Sequence, residues 1–153
     1  MAGLAVAIKE KGSRLMHHVP DSPDQTPTWI AVDWGTSNFR AWGFDDSDRL
    51  LCETRSDQGM SKLQPQDFEG ALLRAIDSWL PKSGHVAIYA CGMLGARQGW
   101  IEAPYAKVPC RPTTDLIEAP TEDKRIRVFV LAGLSQSAPN DVMRGEEPRW
   151  RAL

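Results

Sequence analysis

The sequence contains no cluster of basic residues, no long apolar run and no paired cysteines, and each absence removes a class of protein. Its 18 Lys and Arg stand against 20 Asp and Glu, a net charge of −2. Nothing in it looks like the basic block with which a protein neutralises nucleic-acid phosphates, so no nucleic-acid partner is expected. No stretch approaches the roughly 20 apolar residues of a spanning helix, so no membrane role is expected either. The apolar run at residues 2–8 is short and comes before Lys9, Lys11 and Arg14, the reverse of the order in a secretory signal. Cys52, Cys91 and Cys110 are odd in number and form no CxxC pair, and His85 is the only histidine beyond residue 18. Neither a zinc site nor a disulfide framework follows; the reading is reduced thiols in a cytoplasmic protein. What remains is 153 residues, 42% apolar and 25% charged, the profile of one globular domain with a real core.

Residues 1–28 carry prolines at 20, 23 and 27 and a His17-His18 pair among polar residues, and read as a flexible leader. From residue 29 the pattern is strand-like. Apolar runs at 29–32, 39–45 and 49–54 are joined by short polar turns, which predicts an antiparallel meander. Phe68, Leu72, Ile76 and Leu80 recur at helical spacing between Pro65 and Pro81, predicting a helix over 65–80. Residues 85–90 and 127–131 read as further strands. Four prolines between 101 and 124 predict a long loop with one short strand near 106–108, and 133–140 reads as the loop after the last strand. The order βββ-α-β-loop-β describes an α/β chain with a mixed sheet.

Three stretches carry chemistry. The first is VDWGTSNFRAW. Gly35 lets an anion approach the backbone, Thr36, Ser37 and Asn38 add donors, and Asp33, at the end of a strand, is placed to hold Mg²⁺ directly or through water. The same residues also suit a plain hairpin turn, with Gly and Asn chosen for positive φ. It is not a Walker loop, since no GxxxxGK followed by Ser or Thr occurs. The second is CGMLGARQGW, where three glycines follow a strand. Arg97 offers a planar fork for a carboxylate, Gln98 a donor and an acceptor, and Trp100 and Tyr105 walls for a small polar molecule. Turns and close chain packing, with Trp100 in the core, would use the same residues. The third is NDVMRGEE, where acids beside Arg144 can hold a general base for a hydroxyl, with the arginine orienting it or binding phosphate; a solvated surface turn has the same composition. Trp42 reads as core, and Arg40 as either a brace for the first turn or a surface ion-pair partner.

IAVDWGTSNFRAW, CGMLGARQGWIEAPY and NDVMRGEE, in that order, resemble the bacterial 2-dehydro-3-deoxygalactonokinase family, and the last two strings are specific to it. The first string is shared more widely, across the actin-like and sugar-kinase ATPases. The resemblance implies an ATP-dependent kinase that phosphorylates the terminal hydroxyl of 2-dehydro-3-deoxy-galactonate to the 6-phosphate. It implies a ribonuclease H-like fold of two lobes closing over ATP and Mg²⁺, with residues 29–147 as the N-terminal lobe, 148–153 as a non-family tail and no second lobe. By position, Asp33 would serve the metal, and Gly35, Thr36, Ser37 and Asn38 the transferred phosphates. Arg97, Gln98 and Trp100 would serve the sugar acid, and Asp141 or Glu146 would be the base. A lone first lobe is expected to turn over little. Two other readings are a half-enzyme module that needs a partner chain carrying the second lobe, and a phosphatase or exopolyphosphatase-like hydrolase using water as nucleophile.

Overall fold

The computed structural model describes residues 26–109, 116–137 and 140–144. Strands β1 (Trp29–Trp34), β2 (Phe39–Phe44) and β3 (Leu50–Ser56) form the expected antiparallel meander. Helix α1 (Phe68–Ile76) then carries the chain over to β4 (Val86–Gly92), which pairs with β1 in parallel. Four more strands, β5 (Tyr105–Lys107), β6 (Leu116–Ala119), β7 (Ile126–Leu131) and β8 (Gly133–Ser137), precede β9 (Asn140–Met143). The main sheet has six strands in the order β3-β2-β1-β4-β7-β6, and a second sheet has three, β5-β8-β9. The architecture is mixed α/β, with a core that is mostly sheet and one α-helix among the described residues.

Alternation decides which face is covered. Ile30, Val32 and Trp34 of β1, Ile88 and Ala90 of β4, and Val128 and Val130 of β7 point to one face and are buried beneath Phe68, Ala71, Leu72 and Ile76 of α1. On the other face aromatic rings cross the sheet: Trp29 stacks on Phe44 at 4.3 Å and Tyr89 on Phe129 at 5.7 Å. Trp42 is buried there beside Ala31 and Phe44, as a core residue.

The helical span is close to the predicted one, but only its middle is α. Pro65–Asp67 and Asp77–Trp79 are 3₁₀ turns, tighter windings common at helix ends. The Gln64 N–H donates to the Asp67 carboxylate at 3.0 Å in a reciprocal cap. Glu69 ties α1 to the chain before β7 by accepting from the Glu122 and Asp123 N–H groups, both at 2.9 Å or less.

Three expectations need correction. The proline-rich stretch 101–124 contains an edge strand, β6, because Leu116–Ala119 itself has no proline and finds β7 as a partner. Residues 133–137 form a strand and not a loop: Gly-Leu-Ser-Gln-Ser has weak strand preference, yet β8 is paired on both sides, by β5 and β9. Asp141 therefore lies in a strand as well. Of the leader, Pro27 is buried and the Thr28 N–H donates to Phe44 O at 2.7 Å, so its last residues are tied to the sheet, whose first strand begins at Trp29 as expected. Residues 1–25, including the His17-His18 pair, and 148–153 lie outside the described residues.

The turn after β1 rests on a second turn. Gly35 O accepts from the Met60 N–H and Thr36 O from the Ser61 N–H, each at 3.0 Å. A Cβ on Gly59 would collide with backbone atoms of Thr36 and Ser37, so the two turns meet only because residue 59 has no side chain. Two outcomes follow. Phe68→Ala, which empties the centre of the helix-to-sheet contact, is expected to lower unfolding free energy by about 3–5 kcal/mol in urea titrations, and a loss below about 1 kcal/mol would contradict this packing. Gly59→Ala should cost about 1–3 kcal/mol through overpacking and speed amide exchange at Met60 and Ser61; unchanged exchange there would mean that the turns do not brace each other.

Candidate functional site

β1, β4 and β7 are adjacent and parallel, so the segments that follow them leave the sheet at one end. Ligands of open α/β sheets bind at that end, beyond the strands' carboxyl termini. Asp33 is half-buried near the end of β1, with Arg40 and Cys91 as its cross-strand neighbours. In the turn that follows, the Gly35 N–H donates to Asn38 O at 2.9 Å, and the Gly35 and Thr36 carbonyls face the Met60–Lys62 turn. Carbonyls thus point inward. Among the described residues the Thr36 and Ser37 N–H groups donate to nothing in the chain, and the side chains of Thr36, Ser37 and Asn38 are exposed.

The turn is a hairpin connection between β1 and β2, but positive φ does not account for its residues. Neither Gly35 nor Asn38 has positive φ. A Cβ on Gly35 would meet nothing closer than Asn38 O at 3.6 Å, an ordinary contact. Gly35 is therefore required neither by backbone conformation nor by packing within the described chain, and a bare Cα facing outward is what close approach of an anion needs.

The second segment returns onto the base of the first. Gly92 has φ of +108°, and a Cβ there would strike the Trp34 carbonyl. After it Met93–Gly95 makes a 3₁₀ turn, the Trp100 N–H donates to Leu94 O at 2.8 Å, and the Ala103 N–H to Gly95 O at 3.0 Å. These bonds close a compact loop with Arg97 and Gln98 exposed on it. Trp100 behaves differently: its ring stacks on Phe68 at 5.9 Å, meets Trp34 edge-on at 6.4 Å, and the residue is only 9% exposed. The ring anchors the loop in the core, and Tyr105, 46% exposed, is the aromatic that stays accessible.

The third segment is brought to the second by strand pairing, since β9 pairs with β8 and β8 with β5. Asp141 is exposed on β9, and its Oδ1 accepts from the Val142 N–H at 2.8 Å. Arg144 donates from Nη2 to Ala103 O at 2.6 Å and from Nε to the Tyr105 hydroxyl at 3.3 Å. Glu146, the other candidate base, and Glu147 lie outside the described residues.

No group of three or more His, Cys, Asp or Glu among the described residues is arranged to hold a metal. Asp33 by itself suits Mg²⁺, which is commonly held by one or two carboxylates with substrate phosphates and water completing its shell. The described cysteines supply no nucleophile: burial pushes the Cys52 thiol up to about 12, and Cys91 is buried against Val32 O at 3.5 Å. Cys110 lies outside the described residues. An open groove of about 530 Å³ lies at the other end of the sheet, lined by His85, Glu118, Lys124 and Arg127. Hydrogen bonds from Arg127 hold the Glu118 carboxyl below its usual range there, so the groove wall is an ion pair on itself.

Sequence reasoning missed Gly59 and the role of Trp34, whose indole Nε1 donates to Gln58 O at 2.9 Å. Gly59 left one signal, an isolated glycine in the polar run Asp57-Gln58-Gly59-Met60 with no element to account for it.

Comparison with known proteins gives one consistent answer. The profile of the family "2-keto-3-deoxy-galactonokinase" matches residues 33–150. A Rhizobium meliloti (strain 1021) protein named "Probable 2-dehydro-3-deoxygalactonokinase DgoK1" is 40% identical over 127 residues, which are 78% of this chain and 40% of that protein. The 2-dehydro-3-deoxygalactonokinase of Escherichia coli (strain K12) is 31% identical over 124 residues, 80% of this chain and 41% of its own length. A crystal structure of a Sinorhizobium meliloti protein assigned as a 2-dehydro-3-deoxygalactonokinase superposes with a TM-score of 0.65 at 38% identity, covering 78% of this chain and 40% of that one. The chain thus spans about two fifths of the length of the curated relatives it matches. By this match, which takes in all three segments, the chain belongs to the 2-keto-3-deoxy-galactonokinase family.

Proposed function

We propose that this chain is the phosphate- and sugar-acid-binding lobe of a cytoplasmic, ATP-dependent kinase that transfers the terminal phosphoryl group of ATP to the terminal hydroxyl of 2-dehydro-3-deoxy-galactonate. Membership of the family and the names of its relatives support the reaction. The order β3-β2-β1-β4-β7, with β2 alone antiparallel to its neighbours in that run, supports a ribonuclease H-like lobe. The observation that carries the reading is Gly35, a glycine with neither a positive φ nor a crowded Cβ position, beside two outward N–H groups.

On this reading Thr36, Ser37 and Asn38 bind the phosphates together with those N–H groups, and Asp33 would hold Mg²⁺. Bound there, the ion would neutralise charge on the phosphates. Arg97 meets the fixed carboxylate of the keto acid and Gln98 one of its hydroxyls, so that the terminal hydroxyl is presented at a set distance. Its oxygen forms a bond to the γ-phosphorus as the bond to the bridging oxygen breaks and ADP leaves. The hydroxyl proton passes to Asp141 or Glu146. A loose transition state needs little covalent help, so positioning and outward donors do most of the work.

Calorimetry separates the two subsites. Asp33→Asn is expected to weaken Mg·ATP binding at least about tenfold and leave keto-acid binding alone, while Arg97→Ala does the opposite. Equal effects of both variants on both ligands would overturn the assignment. The match takes in about two fifths of the relatives' length, so this stretch assayed alone with ATP and the keto acid is expected to turn over little. Release of free phosphate without keto acid would instead indicate a hydrolase.

A further inference from the structure

We infer that Arg144 is the positioning residue of the glycine-rich segment 95–105, gripping it against the β8–β9 hairpin so that Arg97 and Gln98 are held in one place beside the end of β4. The inference rests on the reading of that segment as the sugar-acid side. Three contacts define the grip. Nη2 donates to Ala103 O at 2.6 Å, Nε donates to the Tyr105 hydroxyl at 3.3 Å, and the guanidinium carbon lies 4.3 Å over the Tyr105 ring. Two missing side chains make the slot. A Cβ on Gly95 would stand 2.6 Å from Nη1, and a Cβ on Gly133 would stand 2.7 Å from the Tyr105 ring.

The position of the grip matters as much as its chemistry. The Ala103 N–H to Gly95 O bond closes the loop, and Arg144 holds the carbonyl of the same residue, Ala103, at the point of closure. Trp100 anchors the far side of the loop in the core, so the chain bearing Arg97 and Gln98 is held from two directions. Only a planar fork reaches a carbonyl and a phenol in fixed directions while stacking on the phenol's ring; an ammonium on a flexible stem does not. Sequence alone allowed Arg144 to serve as a free cation for phosphate or for a base. Its contacts turn that charge inward, onto the chain's own carbonyl and ring. Nη1 is buried, with no hydrogen-bond partner among the described residues, which takes this end of the side chain away from solvent.

Amide hydrogen exchange of the chain and of its Arg144→Ala, Arg144→Lys, Tyr105→Phe and Arg97→Ala variants tests this, together with keto-acid binding by calorimetry. Arg144→Ala and Arg144→Lys are both expected to speed exchange at Gly99, Trp100 and Ala103 about tenfold or more and to weaken keto-acid binding by a similar factor, with β1 and β2 unchanged. Tyr105→Phe, which keeps the ring and loses one hydrogen bond, should do the same to a smaller extent, and serves if Arg144→Ala does not fold. Arg97→Ala should abolish keto-acid binding and leave exchange as it was. Unchanged exchange across 95–105 in Arg144→Ala or Tyr105→Phe, or full rescue by lysine, overturns the inference. Faster exchange in a protein that never bound the keto acid upholds the grip and removes the sugar-acid reading instead.

Discussion

β1 and β4 run so close at their last residues that the carbonyl of Trp34 occupies the space where a side chain on residue 92 would stand. Only glycine, and only at its positive φ, lets the chain leave β4 there. The rest of the candidate site depends on that approach, because it brings the turn after β1 and the loop after β4 onto one base. The Trp34 side chain makes the base rigid: its ring meets Phe39 at 4.7 Å, Phe68 at 4.9 Å and Trp100 at 6.4 Å, and its indole N–H holds Gln58 O at 2.9 Å. One buried residue therefore joins β2, α1, the turn that braces residues 35–38 and the loop that carries Arg97.

How much of this was readable depended on whether a feature repeats along the chain or arises between distant parts of it. The meander and the helix repeat: apolar residues alternate through β1 and recur at helical spacing from Phe68 to Ile76, and both periodicities belong to the local sequence. β6 and β8 do not, since Leu-Ile-Glu-Ala is short and Gly-Leu-Ser-Gln-Ser is polar. Their strand character comes from partners far along the chain, β7 for the one and β5 and β9 for the other. The site divides in the same way. Asp33, Gly35, Arg97 and Gln98 were recognisable by residue type and order, whereas Gly59 owes its meaning to Thr36 and Ser37 more than twenty positions earlier. Trp100 was open to two readings, and the decision lay in Phe68, which no local pattern links to it.

The two ends of the main sheet differ in how their polar groups are paired. At the end away from the candidate site, Arg125 bridges Asp77 at 2.8 Å and Asp123 at 2.7 Å, and Glu69 accepts two backbone N–H groups. Hydrogen bonds from Arg125 hold the Asp123 carboxyl below its usual range. Asp77 is exposed and Glu69, Asp123 and Arg125 are half-buried at the surface, and together they fix α1 against the β6–β7 connection. Their charges are satisfied within the chain. At the other end the backbone carbonyls of the first turn are turned inward while two N–H groups and several polar side chains are left outward. Unmatched donors at one end and matched ion pairs at the other are what the proposed reading, a binding surface at the first and a structural one at the second, calls for.

The two described acids of the candidate site also differ in how they are held, and this bears on their roles. Asp33 sits on β1, which is paired on both sides by β2 and β4, so its Cα is fixed by two ladders. A carboxylate that must meet a metal at a set distance benefits from such a mount. Asp141 sits on β9, at the edge of the three-stranded sheet, exposed, with Oδ1 already accepting the Val142 N–H. That leaves Oδ2 to reach a substrate hydroxyl, on a strand with one neighbour instead of two. A base, too, must sit within hydrogen-bond reach of the proton it takes, so an edge strand is the less secure mount of the two. On the proposed reading, the acid that would hold the metal has the stiffer mount, in the six-stranded sheet, and the acid that would take the proton the freer one, at the edge of the three-stranded sheet.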